Sequence, residues 1–145
     1  MGILNSAERA YMRFHESVYV RTDGRIGARL IGVPTLLLRT KGRRSGQIRT
    51  VALIYARDGG SYVLVASNHG LEVPPAWLLN IGADPNVEIQ VGRRRSGAIA
   101  RVVDRGDADY PRLWKLVNDG NHGRYDGYQA HTARAIPLVV LDPAR

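Results

Sequence analysis

The sequence predicts an antiparallel α+β domain. Three features predict this class: short apolar segments that follow one another as hairpins, helical segments near the start, middle and end, and a length of 145 residues. This length corresponds to one ordinary domain, and 44% apolar residues are enough to build its core. We therefore expect residues 1–145 to form a single domain whose strands pair mainly with their neighbours in sequence.

The N-terminal part predicts a helix followed by a buried strand. From about residue 5 to residue 21, apolar residues recur at intervals of three and four, which is typical of an amphipathic helix. Its expected apolar face contains Ala7, Ala10, Tyr11, Phe14 and Val18. Glycines and Pro34 then interrupt regular structure. The short apolar segment Thr35–Arg39 predicts a buried strand.

The central part predicts two β-hairpins and a helix between them. Asp58-Gly59-Gly60 favours the tight turn of the first hairpin. Arg93-Arg94-Arg95 is expected in the exposed loop of the second hairpin. The predicted segments are, in order, strands at Ile48–Ala56 and Ser61–Ser67, a helix at Ala76–Ala83, and strands at Val87–Val91 and Ala98–Val103.

The C-terminal part predicts two helices and a closing strand. Asp107 is expected to cap a helix that continues through Val117. The segment Arg124–Ala133 follows as a second helix, and Ile136–Leu141 has the apolar character of a final strand.

Composition excludes several classes of protein. The chain has no cysteine, so disulfides, thiolate metal sites and cysteine nucleophiles are excluded. No apolar run reaches the roughly 18 residues of a membrane span, and the first residues lack the pattern of a signal peptide. We expect a cytoplasmic protein, and we keep open a peripheral contact with the inner face of the membrane.

Positive charge is concentrated in one glycine-bracketed segment. The chain has 21 basic and 13 acidic residues, a net charge of +8, and nearly all of the basic residues are arginines. The segment Arg39–Arg49 holds five of these cations around two glycines and Ser45, a pattern that favours an anion-binding loop. The alternative is a solvated basic turn. No nucleic acid is expected, because neither a reading helix nor stacking aromatics adjoin the basic segments.

Neither a metal site nor a catalytic triad is predicted. His122, Asp126 and His131 fall close together, but the glycines between them disfavour the regular helix that would align them as ligands. No G-x-S-x-G motif is present, so acyl transfer has no support.

Six short motifs occur in a specific order between about residues 32 and 143. They are Gly42–Arg49 (GRRSGQIR), Val65–Gly70 (VASNHG), Pro75–Ile81 (PAWLLNI), Asp84–Val87 (DPNV), Tyr125–Gln129 (YDGYQ) and Ile136-Pro137. Together they resemble the deazaflavin-dependent nitroreductase family, which includes F420H2-dependent quinone reductases. The resemblance implies a split β-barrel of the FMN-binding, pyridoxamine-oxidase-like type. Six to seven mostly antiparallel strands are then expected at about 35–143, with flanking helices.

The resemblance also implies the residues of a cofactor site. The phosphate and glutamyl tail of F420 are expected at the basic loop, and the deazaflavin ring over the surface of the barrel. The positions that match the family's cofactor contacts are Arg43, Arg44, Ser45, Arg49, Ala66, Ser67, Trp77 and Asn80.

A second group of positions matches the family's substrate pocket. Tyr125 and Tyr128 match two tyrosines that line it, and His122 stands where a third tyrosine is usual. Ser67, Tyr125 and Tyr128 are the candidates for orienting the acceptor or supplying a proton. From the residues alone, the two tyrosines could equally be packing aromatics. Asn68 replaces a lysine that often follows the serine.

The function implied by the resemblance is an oxidoreductase. Reduced F420 would give a hydride to an electron-poor acceptor such as a quinone or a nitro-aromatic compound. Two alternatives stay open: an oxidoreductase of the same barrel type that uses FMN, and a non-catalytic module that binds F420 or another anion. The expected partner is a small-molecule electron acceptor, and the expected state is a monomer or a homodimer.

Overall fold

An antiparallel sheet curled into a half-barrel organises the computed structural model, which describes residues 6–23, 29–30 and 33–144. Its described helices are α1 (Ser6–Arg21), α2 (Ala76–Ala83), α3 (Tyr110–Gly120) and α4 (Arg124–His131). Its described strands are β1 (Arg29–Leu30), β2 (Val33–Lys41), β3 (Ile48–Ile54), β4 (Ala56–Asp58), β5 (Ser61–Val65), β6 (Asn86–Val91), β7 (Arg94–Val103) and β8 (Leu138–Pro143). The strand order is β1-β2-β6-β7-β8-β5-β4, and β3 pairs with β2.

The two faces of the sheet carry separate hydrophobic cores. Leu64 and Leu141 belong to the inner core, together with Trp77 from α2. Val63 and Val140 belong to a second core that α3 and α4 cover. Neighbouring residues of a strand face opposite sides of a sheet, which is why consecutive residues of β5 and β8 belong to different cores. Helix α2 therefore packs on the barrel side, and α3 and α4 pack on the outer side.

Both predicted hairpins are present. Gly59-Gly60 joins β4 to β5, and Gly59 has a φ of +61°, a conformation that favours glycine. The second hairpin differs from the prediction in the length of its loop. Arg94 and Arg95 lie in β7, because β6 and β7 remain paired as far as Val91 and Arg94.

Several predicted segments have different limits in the structure. The strand predicted at Ile48–Ala56 is divided at Tyr55 into β3 and β4, which pair with different strands. The prediction that Asp107 caps α3 is wrong. Its carboxylate accepts the N–H of Asp109 at 2.9 Å, and the helix begins only at Tyr110.

Helix α1 has the predicted limits, with residue 5 outside the described residues, but a different buried face. His15 and Tyr19 are 8% and 0% exposed, whereas Tyr11 and Phe14 are 49% and 67% exposed. The expected apolar face is therefore largely in solvent. The helix turns a face of mixed polarity towards the sheet.

Two polar side chains hold α1 on the sheet. The Tyr19 hydroxyl lies 3.1 Å from the carbonyl oxygen of Thr35 and accepts the N–H of Gly92 at 2.9 Å. Glu16 Oε2 accepts the N–H of Ala52 in β3 at 3.0 Å. Among the described strands β3 pairs only with β2, so Glu16 satisfies an amide on an open strand edge.

Candidate active site

A cavity of about 960 Å³ lies between α1, β3, the β2–β3 loop, α2 and the turn after β5. This volume is at the upper end of the usual range for cofactor and ligand sites. The cavity lies where the basic segment of the sequence meets the barrel.

The β2–β3 loop is a closed turn built around Gly42. The Gly42 N–H donates to the carbonyl oxygen of Gln47 at 2.7 Å, and the Gly46 N–H donates to that of Gly42 at 2.8 Å. A Cβ at Gly42 would lie 2.9 Å from Ser45 Oγ and 3.0 Å from the Gln47 carbonyl oxygen, so a side chain there would collide. Ser45 Oγ accepts the Gln47 N–H at 3.1 Å. These hydrogen bonds fix the backbone of the loop that carries the arginines.

Asn80 connects this loop to α2. Its Oδ1 accepts both the backbone N–H and the Nη1 of Arg43, each at 3.1 Å. Its Nδ2 donates to Thr40 Oγ1 at 3.1 Å, and the side chain is 4% exposed. Asn80 thus lines the cavity and also fixes the position of the loop.

Positive charge predominates around the cavity. Its arginines are Arg9, Arg13, Arg43, Arg44 and Arg49, and its carboxylate is Glu16. Within the described part of the chain, none of the arginines of the loop and β3 forms an ion pair. The carboxylate of Glu16 already accepts the amide of Ala52. The cavity therefore suits an anion that carries more than one negative charge.

The remaining wall of the cavity is largely uncharged. Trp77 is 8% exposed and connects the cavity to the inner core. Val51 and Leu53 contribute from β3, and Ser67, which is 7% exposed, contributes from the start of the turn after β5. A flat aromatic group can pack against such a wall.

Most of the predicted cofactor contacts meet at this cavity. They are Arg43, Arg44, Ser45, Arg49, Ser67, Trp77 and Asn80. Ala66 is not among the lining residues, because it is fully buried and its carbonyl oxygen accepts a hydrogen bond from Arg134 at 3.2 Å.

The structure does not bring the predicted substrate contacts to the cavity. Tyr125 and Tyr128 are each 6% exposed and belong to the core beneath α3 and α4, because α4 packs on the outer side of the sheet. Burial raises the pKa of Tyr125, against the opposing effect of a hydrogen bond with the Asn121 side chain. His122 is exposed just beyond the end of α3. The assignment of these three residues to the substrate stays a prediction that only functional measurements test.

The sequence pattern does not predict the contribution of α1 to the cavity. Arg9 and Arg13 are four residues apart, a spacing that places them on one helix face, and Glu16 follows on the same side. The spacing of the two arginines indicates this face, whereas the apolar residues of α1 predict a different buried face. His69, in the turn after β5, also lines the cavity, and no sequence pattern predicts this position.

Nothing in the described residues forms a group of three His, Asp or Glu suited to a metal ion. Asp126 instead accepts hydrogen bonds from Trp114 Nε1 at 2.8 Å and Asn118 Nδ2 at 2.7 Å.

In the described part of the chain, no helix is long and apolar enough to cross a membrane.

Comparisons with known proteins agree with the fold and the site. The sequence model of the F420H(2)-dependent quinone reductase family matches residues 11–143. An F420H(2)-dependent quinone reductase of Mycobacterium tuberculosis is 49% identical over 131 residues, which cover 90% of this chain and 88% of that protein.

Solved structures give the same result. A structure of an F420-H2 dependent reductase has a TM-score of 0.67 at 32% identity, over 74% of this chain and 93% of its own. A structure described as a domain-swapped dimer has a TM-score of 0.69 at 27% identity, over 92% of this chain and 98% of its own. The predicted split β-barrel, shared by F420-dependent reductases and pyridoxamine-oxidase-like proteins, is confirmed. With a basic cavity on this fold and a family match over most of its length, the chain belongs to the F420H(2)-dependent quinone reductases, oxidoreductases whose cofactor is F420.

Proposed function

We propose that the cavity holds F420 and that the chain uses it to reduce a quinone or another electron-poor acceptor such as a nitro-aromatic compound. The observation that carries this proposal is that the cavity has a basic part and an uncharged part. Five arginines and one carboxylate line it, and an uncharged wall with Trp77 adjoins them. This donor set fits a cofactor with a phosphate, a carboxylate tail and a flat ring. When bound, reduced F420 supplies the hydride.

The basic loop and the start of β3 are proposed to hold the anionic part of the cofactor. Arg44 and Arg49 are exposed at the cavity, and Arg43 is oriented by Asn80. Guanidinium groups bind phosphate and carboxylate oxygens through paired hydrogen bonds. Ser45 would contribute chiefly by fixing the loop, since its Oγ already accepts the N–H of Gln47.

The uncharged wall is proposed to hold the ring and the acceptor. Trp77 and the side chains of β3 exclude water from one side, and α1 covers another. Ser67 carries a hydroxyl on this wall, so it is the candidate for orienting the acceptor from the cofactor side of the cavity. Ala66 would act through the position of Ser67, because its own side chain does not line the cavity.

Binding measurements test the cofactor assignment. The chain has two tryptophans, and of these Trp77 lines the cavity while Trp114 does not. A Trp114→Phe variant therefore reports on the cavity when titrated with oxidised F420 and, separately, with FMN. We expect quenching by F420 at much lower concentration than by FMN. Preferential binding of FMN would support the FMN-dependent alternative instead.

Arginine variants test the part assigned to the basic loop. Arg44→Ala or Arg49→Ala should weaken F420 binding at least about tenfold, a change of about 1.4 kcal/mol. Arg94→Ala is the matched control, because Arg94 is exposed on β7 and does not line the cavity. Equal affinities in all three variants would contradict the proposed tail site.

Turnover distinguishes an enzyme from a binding module. The oxidation of reduced F420 should be faster with menadione or a nitro-aromatic compound in the presence of the protein than in buffer. Tight binding of F420 with no acceleration would support the non-catalytic alternative.

We also propose that α1 makes a peripheral contact with the inner face of the membrane. The observation that supports this contact is the exposed pair Tyr11 and Phe14 on a helix of a strongly basic chain. Cosedimentation with anionic vesicles should fall in Phe14→Ser and be unchanged in Ile99→Ser, which alters an exposed apolar residue of β7.

Sedimentation equilibrium in the same buffer distinguishes a monomer from a homodimer.

A further inference from the structure

One guanidinium group fixes the turn between β5 and α2 through hydrogen bonds to its backbone. Arg134 donates hydrogen bonds to the carbonyl oxygens of Ala66 at 3.2 Å, Ser67 at 2.8 Å and Leu71 at 3.0 Å. The N–H of Leu71 in turn donates to the carbonyl oxygen of Asn68 at 3.1 Å. The segment is therefore a fixed part of the cavity wall, although it lies outside the strands.

This turn carries an uncommon backbone conformation. Asn68 and His69 have φ values of +45° and +58°, and Gly70 follows at +82°. Two consecutive non-glycine residues in the left-handed region are rare, and such conformations are concentrated at functional sites. The fixed turn presents His69 to the cavity in this conformation.

The imidazole ring of His69 is oriented by α4. It packs edge-on against the ring of Tyr128, with the centroids 5.9 Å apart and the planes at 88°. His69 is half-buried and lines the same cavity as Ser67. The aromatic cluster of α4, which does not line the cavity itself, thus reaches it through His69.

The arginines and the neutral donors of the turn after β5 lie on different parts of the cavity wall. The loop and β3 contribute the arginines that suit the anionic cofactor, and Glu16 accepts the amide of Ala52. The turn after β5 contributes Ser67 and His69 instead. A neutral imidazole offers an N–H donor without adding a full charge, which suits a neutral acceptor with carbonyl oxygens.

We propose that His69 contacts the electron acceptor and donates a hydrogen bond to the oxygen that gains negative charge during reduction. This inference rests on the proposed function of the cavity. A quinone becomes a hydroquinone by taking up one hydride and one proton. In the proposed function reduced F420 supplies the hydride and is oxidised to F420, and solvent supplies the proton. A donor placed at the developing charge stabilises the transition state more than the ground state.

Two substitutions separate the donor from the backbone conformation. His69→Gly removes the imidazole and accepts the positive φ without strain, and His69→Asn keeps an N–H donor in a residue that tolerates this conformation. We expect F420 affinity to be unchanged in both variants. The kcat with menadione should fall at least tenfold in His69→Gly and should stay within about threefold of the unmodified chain in His69→Asn.

A spectroscopic measurement tests the contact without turnover. The chain has four histidines, so their ring signals can be resolved by NMR. Menadione added to protein saturated with oxidised F420 should shift the ring signals of His69 and leave those of His131, an exposed residue at the end of α4, unchanged. An unshifted His69, an unchanged kcat in His69→Gly, or an equal loss in both variants would overturn the inference. Failure of the unmodified chain to bind F420 or to oxidise its reduced form would overturn the proposed function instead.

Discussion

Gly70 shows how a single residue shapes the wall of the cavity. Its φ is +82°, and a Cβ there would lie 3.0 Å from the carbonyl oxygen of Tyr128 and 3.2 Å from its Cα. Both contacts are with backbone atoms, which cannot rotate away. Gly70 therefore allows α4 to pack closely on the turn that carries Ser67 and His69.

Replacing Gly70 by alanine should destabilise the fold by about 2–3 kcal/mol, because positive φ and steric contact act together. Gly123→Ala is the control, since Gly123 has a φ of +73° but no atom within 4 Å of its Cβ position. We expect about 1 kcal/mol for the control. Urea unfolding measures both free energies, and equal losses would show that the contact with α4 adds nothing.

The tyrosines of α4 are a second test at the residue scale. The resemblance predicts that Tyr125→Phe and Tyr128→Phe lower turnover, but both rings lie in the core beneath α3 and α4. We expect kcat to change less than about twofold in each variant. Tyr125→Phe should also unfold more easily by about 1 kcal/mol, since its hydroxyl bonds to Asn121. A large loss of kcat with unchanged stability would instead support the assignment of the tyrosines to the substrate site.

The residues of the cavity differ in how far the sequence predicts them. Arg43, Arg44 and Trp77 lie in short motifs whose order identifies the family, so they could be found without a structure. Arg9 and Glu16 reach the cavity only because α1 packs in one particular orientation on β3. That orientation depends on contacts between residues far apart in sequence, which no local pattern records.

At the scale of elements, α1 shows why apolar periodicity alone did not identify its buried face. The exposed stripe includes Tyr11 and Phe14, while the buried face is fixed by specific hydrogen bonds. The hydroxyl of Tyr19 lies within hydrogen-bond distance of the carbonyl oxygens of Thr35 and Gln90 and accepts the N–H of Gly92. One fully buried hydroxyl thus connects α1 to β2 and β6.

Tyr19→Phe should lower the free energy of unfolding by about 1–3 kcal/mol, because it leaves buried backbone groups unsatisfied. Tyr11→Phe removes the same hydroxyl from an exposed ring and should change stability by less than about 0.5 kcal/mol. Thermal or urea unfolding measures the difference. If Tyr19→Phe were as stable as the control, the hydroxyl would not anchor α1.

A second link between elements depends on pH. The Arg112 guanidinium donates to both carboxylate oxygens of Asp58, at 2.9 and 3.1 Å, and holds the pKa of that carboxyl below its usual range. A lowered folded-state pKa stabilises the fold above the unfolded value of about 3.9, and the contribution is lost as pH falls through the folded-state value.

Asp58→Asn should therefore be less stable than the unmodified chain near neutral pH, with the difference disappearing towards about pH 2. The loss should be small, because both side chains are partly exposed. Asp104→Asn, which alters an exposed residue with no ion pair among the described residues, is the control. A stability difference that persisted in acid would show that Asp58 acts through something other than its charge.

At the scale of the whole molecule, the net charge is +8, and two separate regions contain clusters of arginines. One is the cavity with its five arginines, and the other is the β6–β7 hairpin with Arg93, Arg94 and Arg95. Arg95 is already paired with Asp23 at 2.8 Å. The sequence predicts this excess of charge, but only the fold separates the cations that face a ligand from those that face solvent.

Salt should therefore weaken F420 binding by screening the arginines of the cavity, and the arginines of the hairpin should not contribute to this effect. Partly exposed charge pairs are screened as the Debye length falls to about 10 Å at 0.1 M salt, so affinity should fall a few-fold between about 20 and 150 mM. Arg44→Ala should flatten this dependence because it removes one contacting charge, and Arg94→Ala should leave it unchanged. Equal flattening in the two variants would show that the general field of the molecule, and not the local contact, attracts the cofactor. A steep loss of duplex DNA binding over the same range, with specific binding retained at 150 mM, would point instead to a nucleic-acid partner.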